Sequence, residues 1–429
     1  MSEPRRQIVS YARPLLLAAL WMAMSGAAAA AGGYEQLYSL PATPPGQNPV
    51  APVTFDTSGN IYGVSSAEGS VFELVRGGNG SWTEKTLYTF TGGSDGRNPW
   101  GGLVFDGKSN LFGTAEGGGG TGCPEAQGCG TVFELTPNQD GGWTESTVYR
   151  FAGSPDGQWP ASSLVFDSAG NLFGTTSGGG DDTNCNTANV GYGCGTVFEL
   201  APRRDGTWKE MVLYTFPGGH GDAYPQYAAP VLDAAGNLYG TTAGASSGTP
   251  EGKGTVFKLV RGAKGVWTHK ILYRFPGTDG LEYPQAGVVF DAKGNLYGTT
   301  QGDTPAGDCC GTVFEIVHSK EGWKEKTLHR FTGADGAFPA GGVVFDKSGN
   351  LYAAPTGGGT LGECFAGCGT VIELSPSKGG WTETVLHQFG GSGDGYNPFA
   401  GLARYKNVLA GTTIWGGPNI YGTVYEITP

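Results

Sequence analysis

The sequence predicts an all-β fold, a seven-bladed β-propeller of four-stranded antiparallel blades, from three observations. The string GTVFEL, or a close variant of it, occurs seven times, beginning at Gly69, Gly130, Gly195, Gly254, Gly311, Gly369 and Gly422. Neighbouring copies lie 53 to 65 residues apart, which fits one propeller blade better than one solenoid rung. Gly 79, Pro 26 and only 15% charged residues indicate many short strands joined by tight turns.

Each repeat unit contains four segments that alternate as two-faced strands do. In the second unit we predict strands at residues 102–106, 110–114, 131–135 and 143–151. A turn of the form D-x-x-G-N joins the first two strands, and glycine takes its left-handed position. We interpret the repeated aspartates of these turns as turn formers, because hairpins recur in every unit.

The segment that follows the first thirty or so residues and the C-terminal segment each contain part of one repeat unit, and the two parts complement each other. Residues 34–40 match the fourth strand, whereas the last unit has only three, at 402–405, 408–413 and 423–427. We therefore expect the N-terminal segment to supply the missing outer strand and close the ring, which leaves no open sheet edge. A closed ring of this kind is expected to be a monomer.

The first residues form a separate unit, and we predict an export signal over 1–31 and the propeller over 32–429. Arg5, Arg6 and Arg13 precede an apolar stretch at 15–24 and an alanine run at 27–31, the order of an export signal with a small-residue cleavage site. The arginine pair is compatible with export by the twin-arginine route as well as by the Sec route. An uncleaved anchor is the alternative, but the apolar stretch is too short to span a bilayer by itself. Either route predicts a periplasmic or extracellular protein that is not in the membrane after signal removal.

The charge of the chain excludes two classes of partner. The formal charge is -12, and loss of the three signal arginines and Glu3 would leave about -14 on the mature form. Such a body repels nucleic acid and anionic lipid. Because high negative charge is usually a solubility feature, it identifies no partner by itself.

The repeat unit resembles the GloVer tandem repeat of exported bacterial proteins. Phe331, Asp335, Pro339 and the segments 343–346 and 349–352 follow the order of that repeat. The resemblance covers nearly all of the mature chain and implies a propeller-like body, but it implies no particular reaction or active-site residues. Many relatives look to be joined to a C-terminal anchor or sorting tail, whereas this sequence ends inside its last strand, so we expect a soluble form.

The loops between second and third strands are long and variable, and they carry the cysteines. The eight cysteines form four local pairs: Cys123 with Cys129, Cys185 with Cys194, Cys309 with Cys310, and Cys364 with Cys368. In an exported protein such pairs predict disulfides, each ordinary one contributing roughly 2 to 3 kcal/mol in the chain-entropy model. Zinc or iron binding and redox chemistry are alternatives, but no histidine neighbours these cysteines, so we predict no metal and no cofactor.

The loops between blades carry an aspartate followed by an aromatic residue near a proline. The candidate ligand-binding residues are Trp100, Trp159, Tyr224, Tyr283, Phe338, Tyr396, Asp95, Asp156, Asp279, Asp335 and Asp394. Aromatic rings stack on the apolar faces of sugars, and carboxylates accept hydrogen bonds from hydroxyl groups. The alternative is structural, because the same aromatic residues can wedge between blades and Asp-Gly is an ordinary turn. Trp100 and Trp159 are the best candidates, because indole is rarely left in a loop without purpose.

The histidines favour no catalytic centre, and we assign no catalytic residue. His329 and His387 stand where other copies have tyrosine in the fourth strand, and of the five histidines only His220 lies in a loop between blades, where the candidate ligand-binding residues are. No Ser-His-Asp order, metal motif or phosphate loop is present in the sequence. Asp156 and Asp279 could still act as an acid and base pair across the central channel.

Three functions follow, and they stay open at this point. The first is an exported, non-enzymatic binding or scaffold propeller that recognises a glycan or a protein surface through its long-loop face, on which the loops between second and third strands and the loops between blades emerge together. The second is a carbohydrate-active enzyme, a glycoside hydrolase or polysaccharide lyase, that uses loop carboxylates. The third is a purely structural surface protein with two chemically bland faces.

Overall fold

The computed structural model describes most of the chain after the predicted export signal. The described residues are 33–41, 47–67, 69–120, 122–123, 127–180, 185, 193–218, 222–227, 229–244, 253–302, 310–361, 364, 366–391 and 393–429. The predicted signal at 1–31, His220 and Cys309 lie outside them. Among the described residues, no helix has the length and apolar character needed to cross a bilayer.

Seven antiparallel meanders form the body, which confirms the predicted propeller. The first strands, nearest the axis, are Thr54–Phe55, Val104–Phe105, Val165–Phe166, Val231–Leu232, Val289–Phe290, Val344–Phe345 and Ala403–Tyr405. The second strands are Ile61–Ser65, Leu111–Gly117, Leu172–Thr176, Leu238–Thr242, Leu296–Thr300, Leu351–Ala353 and Val408–Thr413. The third strands are Ser70–Arg76, Thr131–Pro137, Thr196–Pro202, Thr255–Arg261, Thr312–Ser319, Thr370–Ser377 and Thr423–Thr428. The fourth strands are Trp82–Thr89, Trp143–Arg150, Trp208–Thr215, Trp267–Arg274, Gly322–Arg330, Gly380–Gln388 and, closing the seventh blade, Gly33–Ser39. We number the blades 1 to 7 in the order of their third strands.

Three short elements add to the meanders. Arg97–Pro99 pairs with the second strand of blade 2, so that sheet has five strands. Gly157–Gln158 pairs with Gly178–Gly179 in a separate two-stranded ribbon. A single 3₁₀ turn at Ala263–Gly265 precedes the fourth strand of blade 4.

The first strands are shorter than the sequence predicts. In blade 2 only Val104–Phe105 pairs with the second strand, instead of residues 102–106. Of the residues before it, Gly102 instead contacts the neighbouring blade 3, where its amide donates a hydrogen bond to the Ser163 hydroxyl at 2.8 Å. From the second strand, the Thr114 hydroxyl donates a further bond to blade 3, to the Ser162 carbonyl at 3.0 Å. Contacts around the axis therefore replace part of the ladder within the blade.

The predicted turns are present and satisfy their aspartates. In blade 3 the Asp167 carboxylate accepts hydrogen bonds from the Ala169 and Asn171 amides, each at 2.9 Å. Its second oxygen accepts from the Asn171 side chain at 2.9 Å. The same three bonds recur at Asp56, Asp106, Asp233, Asp291 and Asp346. These carboxylates organise the turns, as the sequence predicts.

The N-terminal strand closes the ring, as predicted. Gly33–Ser39 pairs antiparallel with Thr423–Thr428, and the Leu40 amide donates a hydrogen bond to the Gly422 carbonyl at 3.0 Å. The other fourth strands end in the same way, for example with the Phe216 amide on the Gly195 carbonyl at 3.0 Å. The N-terminal strand therefore supplies the fourth strand of blade 7, with the same pairing and the same final hydrogen bond as in the other blades.

Adjacent blades are joined by a repeated unit that we call the joint. It consists of a residue with positive φ, the proline that follows it, and the GTVFEL glycine of the preceding blade. The positive-φ residues are Asn48, Asn98, Trp159, Tyr224, Tyr283, Phe338 and Asn397, with φ between 51° and 58°. At the joint of blades 3 and 4 the Tyr224 amide donates a hydrogen bond to the Cys194 carbonyl at 2.9 Å. Pro225 then packs on Gly195, where an added Cβ would lie 2.8 Å from Pro225 Cδ.

Replacing the joint glycine tests this packing. We expect Gly195→Ala to lower the free energy of unfolding by about 3 kcal/mol or more, because the new methyl group would clash with Pro225 and with the Thr176 carbonyl in addition to straining a residue at φ 93°. Gly206→Ala is the matched control: it has φ 82° but open space around its Cβ, so we expect a loss of only about 1 kcal/mol. Urea unfolding of both variants measures the difference, and equal losses would contradict the joint.

Candidate functional site

Disulfides hold the loops on one face of the propeller, which we call the long-loop face. Disulfide bonds join Cys123 to Cys129, Cys185 to Cys194, and Cys364 to Cys368. Cys310 is also disulfide-bonded. The three ordinary pairs are therefore confirmed, whereas the predicted pair of Cys310 with Cys309 stays a prediction because Cys309 lies outside the described residues.

A cavity of about 210 Å³ lies on the propeller axis, and we call it the axial cavity. Residues from every blade line it: Val50, Pro52, Trp100, Ala161, Ser163, Tyr227, Ala229, Val231, Ala286, Gly287, Val288, Val289, Ala340, Gly341, Gly342, Val343, Phe399, Ala400, Gly401 and Leu402. Most of these are small or aliphatic, so the wall is mainly apolar.

Three aromatic rings from blades 2, 4 and 7 meet in the axial cavity. Trp100 stacks on Tyr227 with ring centroids 5.4 Å apart and planes 21° from parallel. Phe399 meets both rings edge-on, at 6.0 Å from Trp100 and 5.4 Å from Tyr227. The structure thus places the candidate Trp100 in an axial aromatic cluster, and it adds Tyr227 and Phe399, which the sequence analysis did not select.

Trp159 lies in a second, polar cavity between blades 2 and 3, which we call the Trp159 cleft. The cleft encloses about 180 Å³ and is lined by Asn98, Glu116, Gly117, Gln127 and Trp159. An indole ring, a carboxyl group and two amide side chains therefore share one concavity.

Glu116 is the residue of the cleft that the sequence analysis did not select. It is half-buried near the end of the second strand, which runs to Gly117, beyond the predicted residue 114. Burial raises the pKa of Glu116, and the nearby Arg97 guanidinium offsets this only in part. Burial, and secondly the Glu116 charge, also raise the pKa of Tyr227 to about 12. Glu116 therefore acts electrostatically on the axial aromatic cluster as well as on the cleft.

Four of the aromatic candidates occupy the same position in four consecutive joints. Trp159, Tyr224, Tyr283 and Phe338 occupy the positive-φ position in blades 3 to 6, whereas the other blades have asparagine there. Asparagine adopts this conformation readily, but an aromatic residue in it costs about 1 to 2 kcal/mol, and a following proline disfavours it further. Residues held in such conformations concentrate at functional sites.

These aromatic side chains also contact the loop of the preceding blade. The Tyr224 hydroxyl donates a hydrogen bond to the Cys185 carbonyl at 3.1 Å. The Lys253 ammonium lies 4.8 Å from the centre of the Tyr283 ring and forms an ion pair with the buried Glu282 at 2.8 Å. Tyr224 and Tyr283 therefore wedge between blades, as the structural alternative predicts, and both are half-buried.

Tyr396 is placed differently from the other aromatic candidates. It precedes the joint residue Asn397, and its backbone pairs with that of Trp415 in the long loop of blade 7. Trp415 is 42% exposed and Ile420, in the same loop, is 60% exposed with φ 65°. A β-branched residue rarely adopts positive φ, so this loop presents two apolar side chains in a constrained conformation.

Four of the candidate aspartates form hydrogen bonds with side chains near the ends of fourth strands. Asp95 and Asp156 accept hydrogen bonds from the Tyr88 and Tyr149 hydroxyls, each at 3.0 Å. Asp335 and Asp394 are instead bonded to histidine side chains at 2.9 Å and 3.0 Å. The fifth candidate, Asp279, is exposed and has φ 59°.

The histidine partners are His329 and His387, which therefore substitute for tyrosine as the sequence analysis predicts. Burial opposes ionisation of Asp335, but hydrogen bonds from His329 and Thr332 outweigh it and lower its pKa. Within the ranges that the structure describes, His, Cys, Asp and Glu do not gather in groups of three that could hold a metal ion. The proposed acid and base pair, Asp156 and Asp279, belongs to loops separated by the whole of blades 3 and 4.

Comparison with known proteins identifies a repeat family. The profile described as the Gloeobacter/Verrucomicrobia repeat matches residues 27–188 and 183–425. A search of curated proteins finds no match to this sequence.

Solved structures share the fold at low identity. A streptogramin B lyase is 12% identical with a TM-score of 0.52, covering 92% of this chain and 97% of its own. A catalytically inactive virginiamycin B lyase from Staphylococcus aureus with quinupristin is 12% identical with a TM-score of 0.54, covering 93% and 99%. A periplasmic gluconolactonase from Pseudomonas aeruginosa is 16% identical with a TM-score of 0.51, covering 86% and 96%. At these identities the similarity establishes the propeller and no activity.

The negative charge of Asp156 affects the pKa of Glu210, and this gives a prediction about how stability depends on pH. Burial and, secondly, the Asp156 charge raise the pKa of Glu210 from 4.5 to about 7. Ionisation of Glu210 therefore lowers the free energy of unfolding. This loss of stability is absent below about pH 4.5 and grows until about pH 7. We expect Glu210→Gln to raise the melting temperature by about 2 °C at pH 8 and to leave it unchanged at pH 4.

The exposed Glu321 provides the control, and Glu321→Gln should shift neither melting temperature. Differential scanning calorimetry of the wild type and both variants decides the matter. An equal gain for Glu210→Gln at both pH values would show that the charge of Glu210 is not responsible.

Proposed function

The chain belongs to the Gloeobacter/Verrucomicrobia repeat family, and we propose that it is an exported propeller that binds a neutral glycan. The binding site is the Trp159 cleft on the long-loop face. The disulfides support a location outside the cytoplasm, either periplasmic or extracellular, since such bonds persist in oxidising compartments.

The observation that carries the proposal is the composition of the cleft. The Trp159 indole supplies a flat apolar surface of the kind on which a pyranose ring stacks through its C–H groups. Glu116 can accept hydrogen bonds from sugar hydroxyls, and Asn98 and Gln127 can both donate and accept them. A cavity of about 180 Å³ has room for one sugar ring.

The charge of the molecule selects among glycans. The net charge of -12 and the carboxyl group of Glu116 both disfavour anionic polysaccharides. We therefore propose that the glycan is uncharged where it enters the cleft.

A carbohydrate-active enzyme is the second candidate, and one observation favours it. A carboxyl group with a raised pKa beside an aromatic platform has the properties of a general acid, and Glu116 is such a group. Hydrolysis with this acid needs a second carboxylate at a defined distance. A polysaccharide-release assay on the wild type and Glu116→Gln tests this activity.

Recognition of a protein surface is the third candidate, and it uses a different place. The exposed Trp415 and Ile420 on the loop of blade 7 have the apolar character of an interaction surface. Their distance along the ring from blades 2 and 3 makes this surface independent of the Trp159 cleft.

The glycan proposal is tested with Trp159→Asn. Asparagine occupies the same positive-φ position in three other blades, so we expect the variant to keep its melting temperature while its affinity for neutral glycans falls at least tenfold. The measurement is a glycan array followed by calorimetric titration of the best ligand.

Tyr224→Asn is the matched control, because it makes the same kind of change at the next joint, outside the cleft lining. It should bind as the wild type does. Absence of glycan binding by the wild type, or equal affinity for Trp159→Asn, would contradict the proposal.

A further inference from the structure

The axial aromatic cluster interrupts a pattern of small residues around the propeller axis. In blades 1, 3 and 6 the residue directly after the joint proline is small or aliphatic: Val50, Ala161 and Ala340. Trp100 and Phe399 stand at the same position in blades 2 and 7. Blade 4 has one residue more than the other blades between its joint proline and its first strand, and Tyr227 lies in this longer segment. Three blades thus depart from the pattern, and their rings meet in one cavity.

The peptide carbonyls at the wall of the axial cavity already have hydrogen-bond partners in the neighbouring blade. The Thr241 hydroxyl donates a hydrogen bond to the Ala286 carbonyl at 2.7 Å. The Thr299 hydroxyl donates one to the Gly341 carbonyl at 2.9 Å. Because these carbonyls are satisfied within the protein, they do not need water in the cavity. Occupation by an apolar molecule therefore leaves their hydrogen bonds intact.

The axial cavity is open to solvent rather than sealed. Trp100, Tyr227 and Phe399 all line it, and each of the three rings is partly exposed. Removing such apolar surface from water is favourable, and an aromatic ring that packs against other rings gains additional energy from stacking or edge-on contact. A ligand that covers the cluster would gain both contributions.

The size of the axial cavity and its few polar atoms restrict the ligand further. An engineered apolar cavity of about 150 Å³ in another protein binds benzene, so about 210 Å³ is sufficient for one aromatic ring or two fused rings. Among the described lining residues, only Trp100, Ser163 and Tyr227 carry polar side-chain atoms, and all three side chains can donate a hydrogen bond. The raised pKa of Tyr227 keeps its hydroxyl protonated. An oxygen acceptor on the ligand would match these donors.

The charge around the cavity selects against an anionic acceptor. The negative charge of Glu116 acts on Tyr227, and the net charge of the chain is -12. A carboxylate would be repelled by both, and it would also lose its hydration between apolar walls. A neutral hydroxyl or carbonyl oxygen avoids both costs.

We propose that the axial cavity is a second binding site, for a neutral planar aromatic molecule of one or two rings that carries a hydroxyl or carbonyl oxygen. The site is separate from the Trp159 cleft, with which it shares no described lining residue. The inference therefore goes beyond the proposed glycan binding and does not rest on it.

The test is calorimetric titration of 2-naphthol and of 2-naphthoate into the full chain at neutral pH. We expect saturable binding of 2-naphthol and at least tenfold weaker binding of 2-naphthoate. Ala229→Leu, which adds bulk to the cavity wall, should weaken 2-naphthol binding at least tenfold. Ala235→Leu, in the exposed turn of the same blade, is the matched control and should leave the affinity unchanged.

Trp159→Asn separates this inference from the proposed function, and it should bind 2-naphthol as the wild type does. No saturable binding of 2-naphthol, or binding of 2-naphthoate with equal affinity, would overturn the inference and leave glycan binding intact. Loss of 2-naphthol affinity in Trp159→Asn would place the compound in the Trp159 cleft and also overturn it. If Ala229→Leu fails to fold, density for 2-naphthol in a soaked crystal of the wild type decides instead: density in the axial cavity supports the inference, and density only elsewhere would overturn it.

Discussion

The joint between blades is the constraint on which the rest of this structure depends. A propeller blade is a small sheet with two apolar faces, and it is stable only when a neighbour covers each face. The third strands show this, because Val71, Val197 and Val313 are completely buried in their respective blades. The joint sets how the next blade is placed, since its proline packs on a glycine that admits no side chain. Larger residues at that glycine would move the whole neighbouring sheet.

The joint also positions the residues that line the two cavities. The residue before the proline faces the long-loop side, and the residue after it, as at Trp100 and Phe399, faces the axis. Variation at these two positions changes the cleft and the axial cavity without disturbing the third strands. The candidate site residues therefore flank a repeated structural unit, and the hydrogen bonds of the joint hold Trp159 in its strained conformation.

Much of the fold could be predicted from the sequence, because its signals are local. The GTVFEL copies, the D-x-x-G-N turns and the match between 34–40 and the fourth strand each depend on a short segment, and the structure confirms all three. The positive-φ position had a local signal that the analysis did not use: asparagine precedes proline in three of the seven joints. The axial cluster had none, because the meeting of Trp100 with Tyr227 depends on the closure of the whole ring. Glu116 was missed because it was assigned to a variable loop, whereas it lies on an extended strand that projects it into a cleft.

Native-state hydrogen exchange tests the central claim most directly, because the joint amides are donors in the bonds between blades. If the joints hold a closed ring together, the amides of Asn48, Tyr224 and Asn397 should exchange with one common free energy of opening, equal to that of global unfolding. Asn48 is decisive, since its amide bonds to the Tyr421 carbonyl at 3.1 Å across the closure between blades 7 and 1. Exchange of the Asn48 amide through a much smaller opening than that of Tyr224 would show that the ring opens at its closure, and it would contradict the account.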